Sequence, residues 1–153
     1  MRTVVEILIV DDSDEDAALT LDVLRNAAPG AQVLRLTDGE QALHFICGSD
    51  GFARRAAGLP RLVLLDLHMP GMDGLAVLQA LRALPEMQQL PIVLWSSSAN
   101  PIFVEQARQA GASAYHVKPS NLDAYRSEMQ AIVQRWLKTS ESDAGGARIA
   151  RMR

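Results

Sequence analysis

The sequence predicts an α/β domain built on a doubly wound, five-stranded parallel sheet. Three observations carry this. Short aliphatic runs alternate with longer amphipathic segments along the chain. The run Leu62-Val63-Leu64-Leu65 lacks polar alternation, as befits a parallel strand covered on both faces. Each strand candidate is followed by a helical pattern, giving the order βαβαβαβαβα with right-handed crossovers.

The strands are expected at Glu6–Val10, Gln32–Leu36, Leu62–Leu65, Ile92–Trp95 and Ala114–Val117. After the first, Ser13 can cap a helix to about Ala28, stopped by Pro29-Gly30. Ala17, Leu21, Leu24 and Ala28 form its apolar stripe, and Asp14, Glu15 and Asp16 favour its positive N-terminus. Asp38-Gly39 opens a second helix through about Cys47. Gly74–Leu84 reads as a third, closed by Pro85. Asn100-Pro101 supplies a cap and a first-turn proline for a fourth, ending near Gly111. Ser120 with Asp123 resembles a capping box for a fifth, to about Lys138. Residues 48–60 read as a long loop of small residues. One domain over residues 1–138 is followed by an expected disordered tail, 139–153, carrying Arg148, Arg151 and Arg153.

Composition narrows the class. The chain has 153 residues, 48% hydrophobic and 22% charged, with a net charge of −3. That weakly acidic balance gives no general reason to expect nucleic-acid or membrane binding. The single cysteine, Cys47, forbids an internal disulfide and fits a reducing cytoplasm. Val4–Val10 is too short for a signal peptide and runs into acidic residues, and no apolar stretch reaches the roughly 18 residues of a bilayer span. A cytoplasmic protein is expected.

Function is expected where a doubly wound sheet binds ligands, beyond the carboxyl ends of its strands. Strand one ends in Asp11-Asp12, strand three in Asp66, strand four in Ser96-Ser97-Ser98 and strand five in Lys118. Taken singly, Asp11 and Asp12 could merely favour the next helix, the serines could be turn residues, and Lys118 could be a surface cation. Taken together, they gather carboxylates, hydroxyls and an ammonium at one rim. Neighbouring carboxylates repel by a few kcal/mol at an effective dielectric near about 20. A hard divalent cation offsets this, and Mg²⁺ suits carboxylate, water and phosphate oxygens. Lysine is rare here, two against 13 arginines, which favours a specific role for Lys118.

The segments ILIVDDSDEDA, TDGEQAL, LVLLDLHMPGMDGL, LPIVLWSSS and AGASAYHVKPS resemble the receiver (CheY-like) family of response regulators over residues 5–138. That resemblance implies the flavodoxin-like strand order 2-1-3-4-5. The long loop before strand three and the lack of an output domain resemble single-domain regulators paired with phytochrome-type histidine kinases. The implied partner is a sensor histidine kinase, bacteriophytochrome type included, with a possible homodimer and neither nucleic acid nor membrane.

The resemblance also assigns roles. Asp66 is the phospho-acceptor. Asp12, Asp66 and the backbone carbonyl of His68 bind Mg²⁺ directly, and Asp11 acts mainly through a bound water. Lys118 pairs with a phosphoryl oxygen, Ser96 donates to another (Ser97 being second choice), and Lys118-Pro119 forms a cis-proline turn. Tyr115 stands at the aromatic switch position, against the plainer reading of a half-buried strand residue. The helix-four, strand-five, helix-five face would carry the output, and the only chemistry would be the domain's own phosphoryl transfer and dephosphorylation. His68 would influence acyl-phosphate hydrolysis; neither its imidazole nor that of His116 has ligand-spaced partners. His44 and Phe45 read as ordinary helix residues. Trp95 departs from the family, which usually has a smaller aliphatic there. Two other readings compete: a phosphate-independent adaptor, which typically lacks part of this set, and an aspartyl phosphatase, which usually has a second aspartate two residues after the nucleophile, where His68 stands.

Overall fold

The computed structural model describes residues 5–48 and 58–138. The tail at 139–153 and most of the 48–60 loop lie outside the described residues. Five parallel strands, β1 (Ile7–Val10), β2 (Val33–Leu36), β3 (Leu62–Leu65), β4 (Ile92–Ser96) and β5 (Ala114–Val117), form one sheet in the order β2-β1-β3-β4-β5. Five helices connect and follow them: α1 (Asp14–Ala27), α2 (Gly39–Cys47), α3 (Gly74–Arg82), α4 (Pro101–Ala110) and α5 (Leu122–Val133). The strand order reverses between β1 and β3, so the expected ligand crevice lies above those two strands.

Alternation of side chains along the strands builds two cores. Ile7, Ile9, Leu62, Leu64, Val93 and Trp95 face α1 and α5, where they meet Val23, Leu24, Met129, Ile132 and Val133. Leu8, Val10, Val63, Leu65, Ile92 and Leu94 face the other way, toward α2, α3 and α4. All of β1, β3 and β4 is buried, whereas the edge strands β2 and β5 are not. Each aliphatic side chain buried in this way stabilises the fold by about 1.5–3 kcal/mol. No helix among the described residues is long and apolar enough to cross a membrane.

Helix starts follow local chemistry. Ser13, Asp38, Asp73 and Asn100 each accept a backbone N–H of the first turn. Two expectations need correction. Helix α5 is capped by Asn121, whose side chain accepts from Ala124 N, instead of by Ser120. Helix α3 stops at Arg82, because Leu84 precedes Pro85 and is forced into extended backbone (φ −95°, ψ 125°); a single 3₁₀ turn over Pro85–Met87 follows. The helical run that begins with α5 does reach Lys138, as expected, its last turn over Gln134–Lys138 being π-helical. In α1 the stripe includes Thr20 and Val23, both buried, while Leu21 is only partly so.

Candidate functional site

The sheet ladder runs one residue beyond β1, β3 and β5, and this fixes the site. Asp11 N donates to Leu36 O (3.0 Å), Asp66 N to Val10 O (2.9 Å) and Lys118 N to Ser96 O (2.7 Å). The two aspartates and the lysine are therefore held by main-chain bonds on neighbouring strands, and only their side chains need placing.

One carboxylate oxygen from each of Asp11, Asp12 and Asp66 lies within 4.8 Å of the others. Asp11 is buried, Asp66 half-buried and Asp12 exposed, so the cluster opens to solvent on the Asp12 side. Octahedral Mg²⁺ at about 2.1 Å from its ligands separates them by roughly 3–4 Å, so a small contraction would seat an ion. The donors are all hard oxygens, which suits Mg²⁺ or Mn²⁺ and disfavours a zinc-type site.

Burial pushes the Asp66 carboxyl up to about 6. The Lys118 charge and the Leu67 N–H oppose that rise, while Asp11 and Asp12 add to it. Asp66 Oδ1 accepts from Leu67 N at 3.0 Å, and no side chain among the described residues hydrogen-bonds to its carboxylate. The close packing beneath it explains Asp73-Gly74. A β-carbon on Gly74 would lie 2.2 Å from the Asp66 carbonyl oxygen and 2.9 Å from the Leu67 α-carbon. Only glycine lets the start of α3 press against the Asp66 backbone.

Lys118 is nearly buried, and its ammonium donates to Asp11 Oδ2 (2.9 Å) and Asp16 Oδ2 (3.2 Å). Burial acts to lower its proton affinity. The Asp11 hydrogen bond, with the charges of Asp11, Asp66 and Asp16, outweighs that and holds Lys118 above the usual lysine value. Asp16, expected only to favour its helix terminus, is thus part of the site. Arg35, a polar residue inside β2, likewise went unnoticed: Nε donates to Asp11 O (2.9 Å) and Nη1 pairs with Asp14 (3.0 Å). Its interruption of the run Val33-Leu34-Arg35-Leu36 was the available signal.

The hydroxyls form a second layer. Ser96 is fully buried and its Oγ accepts from Ser98 N at 3.1 Å, whereas Ser97 is exposed. The Tyr115 hydroxyl donates to Ser98 O at 2.7 Å. Ser98 is therefore gripped through its N–H by Ser96 and through its carbonyl by Tyr115. The His68 ring stands edge-on to Phe103 of α4, centroids 5.0 Å apart, and is not one of the converging groups. His116 pairs with Glu128, and His44 is exposed. No cis peptide bond occurs among the described residues, so Lys118–Pro119 is trans, against expectation; trans is the lower-energy form of a proline bond by about 0.5–1 kcal/mol.

Beneath the site, Thr20 Oγ1 meets the Tyr125 hydroxyl (2.8 Å), accepts from Trp95 Nε1 (3.2 Å) and donates to Asp16 O (3.0 Å). Trp95 and Tyr125 pack edge-to-face at 5.1 Å. The large residue at the end of β4 is accommodated on the α1/α5 side, with its one polar atom satisfied. Tyr125 is buried and Trp136 half-buried.

Comparison with known proteins gives a consistent picture. The family model for the response regulator receiver domain matches residues 7–130. Response regulator Rcp1 of Synechocystis sp. is 30% identical over 133 residues, covering 87% of this chain and 89% of Rcp1. Its Mn²⁺-bound structure superposes with a TM-score of 0.75, covering 87% of this chain and 94% of that one. The phosphorylated cyanobacterial phytochrome response regulator RcpA gives a TM-score of 0.79 at 28% identity, over 90% of this chain and 96% of that one. RPA3017, a response regulator in red light signalling of R. palustris, gives 0.77 at 33% identity, over 88% and 95% of the two chains.

Proposed function

Because this chain belongs to the response regulator receiver family, we propose that it is a single-domain two-component switch phosphorylated on Asp66 by a sensor histidine kinase. The observation that carries the reading is the convergence of three carboxylates on neighbouring strand ends, with a nearly buried lysine beside them. Among the described residues the Asp66 carboxylate, unlike that of Asp11, has no side-chain hydrogen bond, and it is half-buried where Asp12 is exposed, which supports it as the nucleophile.

In the step proposed, an Asp66 oxygen attacks the phosphorus of a kinase phosphohistidine in line. The P–N bond breaks, the imidazole keeps its electron pair and takes up a proton, and an acyl phosphate remains on Asp66. A divalent cation (Mg²⁺ in the cell) held by Asp12, Asp66 and the His68 carbonyl, with Asp11 through water, would neutralise charge on the transferring group. Lys118 donates to one phosphoryl oxygen and the Ser96 hydroxyl to another. The protein's contribution is positioning and electrostatics.

The same contacts propose the switch. When the Ser96 hydroxyl turns to the phosphoryl group it leaves Ser98 N, and Ser98 O is what Tyr115 holds. Tyr115 then turns inward and the α4–β5–α5 face changes shape. Ile102, Val117 and Leu122 are exposed on α4, β5 and α5, which supports a partner or dimer surface there. A kinase of phytochrome type is favoured by the likeness to RcpA, described as a phytochrome response regulator.

Incubation with acetyl phosphate and Mg²⁺ should add one phosphoryl group by mass spectrometry, lost in Asp66→Asn and on chelation. An unmodified mass, where a control receiver is modified, would sink the proposal in favour of a phosphate-independent adaptor. Sedimentation velocity should show self-association changing on phosphorylation. Identical profiles across concentrations would remove the dimer from the output.

A further inference from the structure

Asp16 sits one helical turn beyond the Asp11-Asp12 pair, and its carboxylate is shared between solvent and Lys118. Its main chain is doubly anchored: Asp16 N donates to Ser13 Oγ (3.1 Å), and Asp16 O accepts from Thr20 Oγ1 (3.0 Å). Thr20 is in turn locked to Trp95 and Tyr125. An otherwise ordinary first-turn aspartate is therefore fixed in place from three elements, with its charge aimed at Lys118.

Resting on the phospho-acceptor reading above, we propose that Asp16 is a positioning residue that holds the Lys118 ammonium off Asp66 until a phosphoryl group arrives. An ammonium has three N–H donors. Two are committed, to Asp11 Oδ2 and Asp16 Oδ2, and tetrahedral geometry then fixes the direction of the third. Asp66 is close enough for its charge to act on Lys118, yet receives no hydrogen bond from it. A carboxylate engaged by an ammonium is a weaker nucleophile, because the donor stabilises the charge that must attack. Without Asp16, Lys118 would settle more fully on Asp11 and Asp66, masking the nucleophile and competing with a cation for both carboxylates. With Asp16, one donor stays available for the incoming phosphoryl oxygen. Asp16 touches no reacting atom and acts through Lys118 alone.

The test uses the full chain and two measurements, the rate of phosphorylation by acetyl phosphate at saturating Mg²⁺ and the calorimetric affinity for Mg²⁺ without phosphodonor. Asp16→Ala should slow the first about three- to fivefold and weaken the second by a similar factor, the scale of a half-exposed charge pair. Asp16→Asn keeps an acceptor and should recover part of both, and it serves if the alanine variant does not fold. In a Lys118→Ala background neither substitution should change either measurement. Glu15→Gln, also in the first turn of α1 and exposed, should leave both at wild-type values and so removes a helix-dipole effect as the explanation. An unchanged rate in Asp16→Ala and Asp16→Asn overturns the proposal, as does an equal loss in the Lys118→Ala background. A wild-type chain that accepts no phosphoryl group overturns the function instead; unchanged Mg²⁺ affinity in the Asp16 variants would then overturn the positioning role separately.

Discussion

The Asp66 carboxyl is the residue whose chemistry the surroundings change most. Burial raises it from an ordinary carboxyl value to about 6 in the metal-free protein. Because the folded protein binds this proton more tightly than the unfolded chain, Asp66 favours the fold below about pH 4 and loses that contribution as pH rises through about 6. In chelator, Asp66→Asn should therefore be more stable than wild type at pH 7.5, by about 1–2 kcal/mol after discounting for partial exposure. The difference should vanish near pH 4. Equal denaturation midpoints for the two proteins across that range would show that Asp66 is not under electrostatic stress. Asp66 was legible because it directly follows four buried aliphatics. Asp16 and Thr20 were not, since their partners lie 75 to 105 residues away in the chain. A helix-terminal aspartate and a mid-helix threonine look ordinary until α1 is placed against β4, β5 and α5.

At the scale of elements, the junction between β3 and α3 matters most, because it sets where the Asp66 backbone lies. Gly74 is buried, and Gly74 N donates to Leu67 O at 2.9 Å. Gly74→Ala drives a methyl group into the Asp66 carbonyl, which is main chain and cannot rotate away. The expected cost is about 1–3 kcal/mol by urea denaturation; an unchanged midpoint would mean that the helix start is free to slide. Strand positions were read from sequence nearly to the residue, because strand burial writes itself into continuous Val, Leu and Ile. Helix ends were read less well. Ser120 and Asn121 are both good caps, and which one serves depends on how the chain leaves β5.

Across the whole molecule, one rim of the sheet concentrates negative charge and the fold tolerates it. A cation that binds the folded chain alone should stabilise it by mass action, about 2.7 kcal/mol at 100 times its dissociation constant. Thermal denaturation should accordingly shift upward with added Mg²⁺ in wild type and far less in Asp12→Asn, whose carboxylate stands at the cluster's open side. Identical shifts in the two would place the ion elsewhere. The sequence alone determined the α/β class, the five strands and the acidic rim, because burial and capping are local and leave periodic marks. The strand order came with the family likeness and is matched by the sheet. Only the tertiary structure decided what each rim residue touches: Lys118 on Asp11 and Asp16 in preference to Asp66, Ser96 and Tyr115 joined through Ser98, and Trp95 satisfied by Thr20. The physical reason is that a buried charge or hydroxyl takes whichever partner the packing brings within about 3 Å, and no local pattern encodes that choice.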